Sequence, residues 1–212
     1  MNTVSRFPTL AVTIPALLLL VSSASAARQS AGLPTHCRAS EFAYLNANMA
    51  EVHYFPEPSG GWKTGDTIYE LRKIGKVLSI CADSSSEPLH SVTYRFGPIG
   101  KIELEQVATA SRKFYIFERT TTPHTGENIF FFTVGPYTYC VTEATAQGSG
   151  VGLTVLKGGR KLLDLFSGND FGKDFESGLI DIQFSFSSSR SPALRPLAPA
   201  NKFQTPCDVR QK

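Results

Sequence analysis

The chain has 212 residues, 42% of them hydrophobic and 11% aromatic, with 21 basic against 18 acidic side chains and a net charge of +3. That length and apolar content suit one domain with a sizeable core. So even a charge balance removes the electrostatic case for nucleic acid or an anionic membrane surface as a partner.

Residues 1–26 read as a secretory signal. Arg6 precedes an apolar run from Leu10 to Val21, and the small residues Ser22 to Ala26 follow. Ala24 and Ala26 fit the small-x-small cleavage rule, which places the cut before Ala27. The apolar run is shorter than the ~20 residues that span a bilayer and contains Pro15, so a membrane anchor is disfavoured. The expectation is a soluble exported protein, periplasmic or secreted, with no membrane insertion after cleavage. It consists of a β-rich domain over 27–187 and a Pro/Ser-rich tail over 188–212. Four cysteines, Cys37, Cys81, Cys140 and Cys207, all follow the signal. In an oxidising compartment they imply two disulfides. Three pairings are open to four cysteines; Cys37 with Cys81 and Cys140 with Cys207 is the expected one, because each bond then ties an irregular end to a core strand.

Residues Ala27 to Pro34 form a short lead. From Cys37 to Val52, the apolar Phe42, Leu45, Met49 and Val52 recur at helical spacing with alanines between, which predicts one short N-terminal helix. The run Tyr54 to Gly61, with Pro56, Pro58 and Gly60, ends it. Thr67 to Ile74 and Lys76 to Cys81 flank Gly75 and read as two strands, or as one strand bent at that glycine.

The central block, Ser91 to Thr142, is the most explicit. Val92–Phe96, Ile102–Glu105, Lys113–Arg119, Ile129–Val134 and Tyr137–Thr142 are short runs of aromatic and β-branched residues, with turns at Gly97–Gly100 and Gly135–Pro136. That is the pattern of antiparallel strands and hairpins. Val151–Leu156 and Lys161–Phe166 around Gly158–Gly159 predict another hairpin. Leu179–Ser187 alternates apolar and polar residues and predicts a last strand with one wet face. The tail, with Pro192, Pro196, Pro199 and Pro206, reads as an extended surface segment pinned back by Cys207. The fold class expected is all-β, an antiparallel β-sandwich or barrel.

Chemistry is harder to find. The chain lacks a G-x-S-x-G elbow, an H-E-x-x-H helix, a full P-loop and any C-x-x-C pair. The acidic residues Asp164, Asp170, Asp174 and Glu176 do not match a calcium-loop pattern. Thus no catalytic residue, metal ligand or cofactor is assigned. The basic residues Arg72, Lys73, Lys76, Arg112, Lys113 and Lys157 to Lys161 read as a solvated sheet face. Glu103, Glu105 and Glu118 read as exposed strand residues, although paired carboxylates meeting in space would escape a sequence reading. The aromatic excess is the informative feature. Phe114, Tyr115, Phe117, Phe130, Phe131, Phe132, Tyr137 and Tyr139 cannot all face inward if strands alternate, so some cover a second layer or line a groove. Tyr94, Phe96, His124, Tyr137 and Tyr139 are the candidate binding surface, since Tyr offers contact area with a polar handle.

Lys76–Cys81, the Tyr94–Gly97 turn with Gly100–Leu104 after it, and Tyr137–Tyr139 followed by Gly152–Val155 resemble a family of uncharacterised exported proteins of Gram-negative bacteria. That resemblance implies an exported β-protein and carries no activity. In size, export and β-character the chain is also similar in kind to periplasmic lysozyme inhibitors, and Ser149–Gly150 is similar to a Ser-Gly element of one inhibitor family. The expectation is a non-enzymatic binding domain that recognises another macromolecule, a secreted or periplasmic protein such as a cell-wall hydrolase. A hydrolase with residues converging from separate strands and a self-associating envelope protein are the alternatives.

Overall fold

A computed structural model describes residues 34–61, 63, 69–122, 125–145, 149–168, 191–197 and 205–208. The signal segment, His124 and the predicted strand Leu179–Ser187 lie outside the described residues.

Among the described residues, ten strands form one sheet. They are β1 (Phe42–Tyr54), β2 (Tyr69–Ala82), β3 (Val92–Gly97), β4 (Leu104–Ala108), β5 (Phe114–Thr122), β6 (Thr125–Val134), β7 (Tyr137–Thr145), β8 (Ser149–Lys157), β9 (Arg160–Gly168) and β10 (Leu194–Pro196). The order is β10-β5-β6-β7-β8-β9-β1-β2-β3-β4. Neighbours run antiparallel except β10, which lies parallel to β5. In the meander β5 to β9 each strand pairs antiparallel with the next in the chain, and the β6–β7 and β8–β9 turns are the Gly135–Pro136 and Gly158–Gly159 pairs read in the sequence.

The sheet rolls up. Tyr94 on β3 and Phe132 on β6 stand six places apart in the strand order, yet their ring centroids are 4.9 Å apart. Only a curled sheet brings those inner faces together. Segment 191–197 bridges the remaining gap: the Phe114 amide donates to the Ala193 carbonyl, the Ala193 amide to the Leu89 carbonyl and the Leu89 amide to Ser191 Oγ. The result is a near-barrel with one interior. Leu45, Met49, Leu78, Ile80, Tyr94, Phe114, Phe130, Phe132, Leu153 and Leu165 pack there. Each such side chain contributes about 1.5–3 kcal/mol by leaving water.

The expected helix over Cys37–Val52 is instead strand β1 from Phe42 onward. Its apolar spacing fits a helical period, but twelve residue pairs with β2 decide its state. Leu45, Ala47 and Met49 face the interior, while Asn46 and Ala50 are buried on the outer side. Buried on both faces, the strand shows no period of two, and tertiary pairing outweighs the local pattern. Strand β2 is one strand bent at Gly75. That residue has a φ of +69° and lies in the bulge between the pairs Met49↔Lys76 and Ala50↔Lys73.

Both outer faces rich in large residues are covered by chain ends. Over β2 and β3, residues 34–41 are strapped down by the Cys37–Cys81 disulfide. Over β6 to β8, Ile129, Phe131, Cys140 and Leu156 form a second apolar cluster with Tyr115, Phe117, Leu197 and Cys207, closed by the Cys140–Cys207 disulfide. The aromatic excess is therefore explained by two layers. Phe114, Phe130 and Phe132 face in; Tyr115, Phe117 and Phe131 face out under the C-terminal tail. That tail is not merely a surface segment, since Ala193 and Leu194 are fully buried in the core. The two disulfides pair as the sequence led us to expect, and they fit an oxidising extracellular or periplasmic environment.

Candidate functional site

Among the described residues, a candidate site lies at one end of the barrel. The turns β3–β4, β6–β7 and β8–β9 all sit at this end, as do the last residues of β1 and the first of β2. Here a cavity of about 300 Å³ opens. Its walls follow from strand alternation. Residues facing inward next to these turns are Lys76 on β2, Tyr94 and Phe96 on β3, Leu104 on β4, and Tyr137 and Tyr139 on β7, with Leu153, Val155 and Leu163 of β8 and β9 completing the wall.

Four of the five residues singled out in the sequence, Tyr94, Phe96, Tyr137 and Tyr139, thus line one cavity. Tyr94 is its floor. The side chain is fully buried, its ring packs against Phe132, and the Tyr139 ring stands 6.2 Å away. Its hydroxyl has no hydrogen-bond partner among the described residues. Burial, and then the nearby Tyr139 phenol, push its pKa well above the ordinary value, so the group remains a neutral phenol. Burial also raises Tyr139, with the Tyr137 phenol adding to it. Tyr139 stacks flat on Phe132, the centroids 5.1 Å apart and the planes within 7°. These rings give the cavity a rigid aromatic side.

The lysine that lines the mouth is paired. Lys76 Nζ donates to Glu103 Oε2 at 2.7 Å and stands 5.5 Å above the Phe96 ring. Lys76 therefore faces the cavity rather than forming part of a solvated basic face. The same end also carries the exposed large side chains Tyr54, Ile99, Ile102 and Leu162, beside the exposed Lys101, Lys157 and Arg160. Of the other basic residues of that set, Arg72 pairs with Glu70, Lys161 with Asp164 and Arg112 with Gln106, while Lys157 Nζ stands 5.4 Å from the ring of Tyr137 at the mouth.

The turn that shapes the mouth is the Tyr94–Gly97 element, where successive side chains serve opposite faces. Tyr94 and Phe96 enter the cavity. Arg95 points outward, yet it is 1% exposed because the N-terminal strap covers it. Its guanidinium grips Glu41 with two bonds, 2.5 and 2.8 Å, donates from Nε to Glu105 at 2.6 Å, and reaches the His36 carbonyl at 3.2 Å. Burial raises the Glu41 pKa, but the bonds and charge of Arg95, with the Arg38 amide, more than offset this and hold it below its ordinary value. Gly97 then reverses the chain at a φ of +149°, and a Cβ there would collide with the Lys101 carbonyl and stand 2.8 Å from the Glu103 amide. Only glycine fits that close approach.

The opposite end of the barrel carries polar inward residues. Glu143 accepts from Asn128 Nδ2 at 3.1 Å, and burial raises its pKa against that bond. Ser167 is buried there with its hydroxyl unpartnered. Among the described residues no nucleophile stands beside a base at either end. The grouping of Cys37, Glu41 and Cys81 has the spacing of metal ligands, but both sulfurs are bonded to each other and offer no thiolate. Of the acidic residues weighed for calcium, Asp164 is held by Thr154 and Lys161; Asp170, Asp174 and Glu176 lie outside the described residues.

Lys76, Glu103 and the aliphatic wall escaped the sequence reading. Their signal was positional: Lys76 and the aliphatic residues take the inward phase of their strands, and Glu103 immediately precedes β4. Compared with known proteins, the chain matches no protein-family model, no curated protein and no solved structure.

Proposed function

We propose that this protein is a non-enzymatic binding domain of an oxidising, extracytoplasmic compartment, and that it binds at the open end of its barrel. One observation carries the reading: a cavity of about 300 Å³, of the size that holds small ligands, is kept open by rigid aromatic walls instead of being filled. Protein interiors normally close such spaces. The exposed apolar side chains Tyr54, Ile99, Ile102 and Leu162 favour a second, compatible role for this end, the docking of a protein partner around the mouth. The absence of a nucleophile–base pair among the described residues makes binding a better reading than hydrolysis.

The test is to fill the cavity. Val155→Phe places a ring in it while leaving the outer clusters alone. Wild-type and variant proteins, immobilised without reductant, are equilibrated with the native envelope extract. Retained small molecules and proteins are then compared by mass spectrometry. Species held by the wild type and lost by the variant support the reading. Identical retention by a variant that melts like wild type contradicts it.

A further inference from the structure

The rim of the mouth specifies the class of small molecule the cavity takes, an inference that rests on this end being the binding site. Leu153 and Val155 line the cavity from β8, and Lys157, two residues further on, keeps their inward phase at the opening. Its cross-strand partner Tyr137 is a wall residue, and Lys157 Nζ stands 5.4 Å from that ring. Across the Gly158–Gly159 turn, Lys157 is also in register with Arg160, which sets two cations side by side on one face. Like charges directly opposite each other destabilise a strand pair. Both side chains are exposed, and among the described residues neither makes an ion pair or a side-chain hydrogen bond. The neighbouring carboxylates Glu103 and Asp164 are already held by Lys76 and Lys161. An anion at the rim therefore relieves a repulsion that the protein itself leaves standing.

Behind this rim the cavity is apolar, with Phe96, Leu104, Leu153, Val155 and Leu163 in its wall. Its volume of about 300 Å³ is twice the ~150 Å³ that holds one benzene ring, which is room for about twelve carbon atoms and so for one alkyl chain. A head kept at the exposed rim stays hydrated while the chain leaves water, so no ionic group is buried. A carboxylate suits the two cations, since it offers one oxygen to an ammonium and one to a guanidinium. We propose that the mouth binds the anion of a free single-chain fatty acid of about eight to twelve carbons, its chain in the cavity and its carboxylate between Lys157 and Arg160.

Equilibrium dialysis of the full chain, below the micellar range, tests this with decanoate, uncharged decanol, cationic decyltrimethylammonium, and butyrate, which has the head without the chain. Wild type should bind decanoate about tenfold or more tightly than any of the other three. The double variant Lys157→Gln/Arg160→Gln should bring decanoate to within about threefold of decanol, leave decanol unchanged, and melt no lower than wild type. Lys161 is in register with Leu156 of the outer cluster, so Lys161→Gln should keep the preference for decanoate. Val155→Phe should abolish binding of decanoate and decanol alike. If wild type binds decanol as tightly as decanoate, or the cation best, the assigned head chemistry is overturned and the cavity remains a binding site. Pelleting with phosphatidylglycerol vesicles, in a protein that does not bind decanoate, would overturn the free acid in favour of a membrane surface. If no probe binds at millimolar concentration, this proposal falls, while extract retention that depends on an open cavity would still uphold the mouth as the binding end.

Discussion

Replacing Arg95 with Met tests how the mouth element is held. Arg95 is almost wholly buried and makes three bonds to carboxylates, two to Glu41 and one to Glu105. Methionine keeps much of the stem's volume but leaves two carboxylates facing an apolar group. Removing one partner of a buried pair costs about 3–5 kcal/mol. Here the Glu105 side chain is 36% exposed and regains water, which places the loss at the lower end, about 3 kcal/mol. For a chain of this size that lowers the melting temperature by roughly 6–12 °C. The assay is thermal unfolding by circular dichroism without reductant, for the wild type, Arg95→Met, and a double variant that adds Glu41→Leu. The double variant should recover much of the loss, since replacing both partners by apolar groups approaches neutrality. The pH dependence follows from Glu41. Its folded pKa lies below the ordinary 4.5, so its contribution is present above that value and disappears as pH falls through the folded pKa. Wild type and Glu41→Gln should thus differ at pH 7 and converge in strong acid. An Arg95→Met protein melting within about 2 °C of wild type at pH 7 would refute the reasoning.

Three further outcomes are expected. Gly97→Ala should lose about 2–4 kcal/mol, because its Cβ meets backbone atoms of 101–103 that cannot swing aside; an unchanged denaturant midpoint would contradict the turn. The double variant Cys37→Ala/Cys81→Ala opens a loop with a sequence separation of 44 and should lose about 4 kcal/mol on the chain-entropy estimate. In that background Arg95→Met should cost much less than alone, since the strap supplying Glu41 has been released; strict additivity would argue against the coupling. Tyr94→Phe in the unliganded protein should melt no lower than wild type, because the hydroxyl it removes has no partner among the described residues; a fall of several degrees would mean the hydroxyl is satisfied in the folded state.

The hairpins from β5 to β9 were legible because their information is local: aromatic and β-branched runs bounded by Gly135–Pro136 and Gly158–Gly159. The disulfide pairing was legible for a similar reason, each bond joining a chain end to a strand. Strand β1 was not. Phe42, Leu45, Met49 and Val52 satisfy a helical period by accident of burial on both faces, and the partner that overrides it, β2, begins at Tyr69. The site was half legible. The tyrosines and Phe96 stood out by type, but Lys76 meets Glu103 across 27 residues, and Tyr94 meets Phe132 only because the sheet rolls. Such convergence is a property of closure, which no window of sequence contains. Arg95 illustrates the same limit, since an arginine on a strand ordinarily faces water, and only the strap of residues 34–41 makes it an interior group.

The most direct test of the mouth as the binding end is a titration of the isotope-labelled protein with the small-molecule fraction of its native envelope extract, followed by amide and side-chain chemical shifts. The account predicts saturable shifts concentrated at Lys76, Tyr94, Leu104, Tyr139, Val155 and Leu163, with the outer cluster at Phe131 and Cys140 unmoved. Shifts centred on that outer cluster, or on the polar end at Asn128 and Glu143 with the mouth silent, would contradict it.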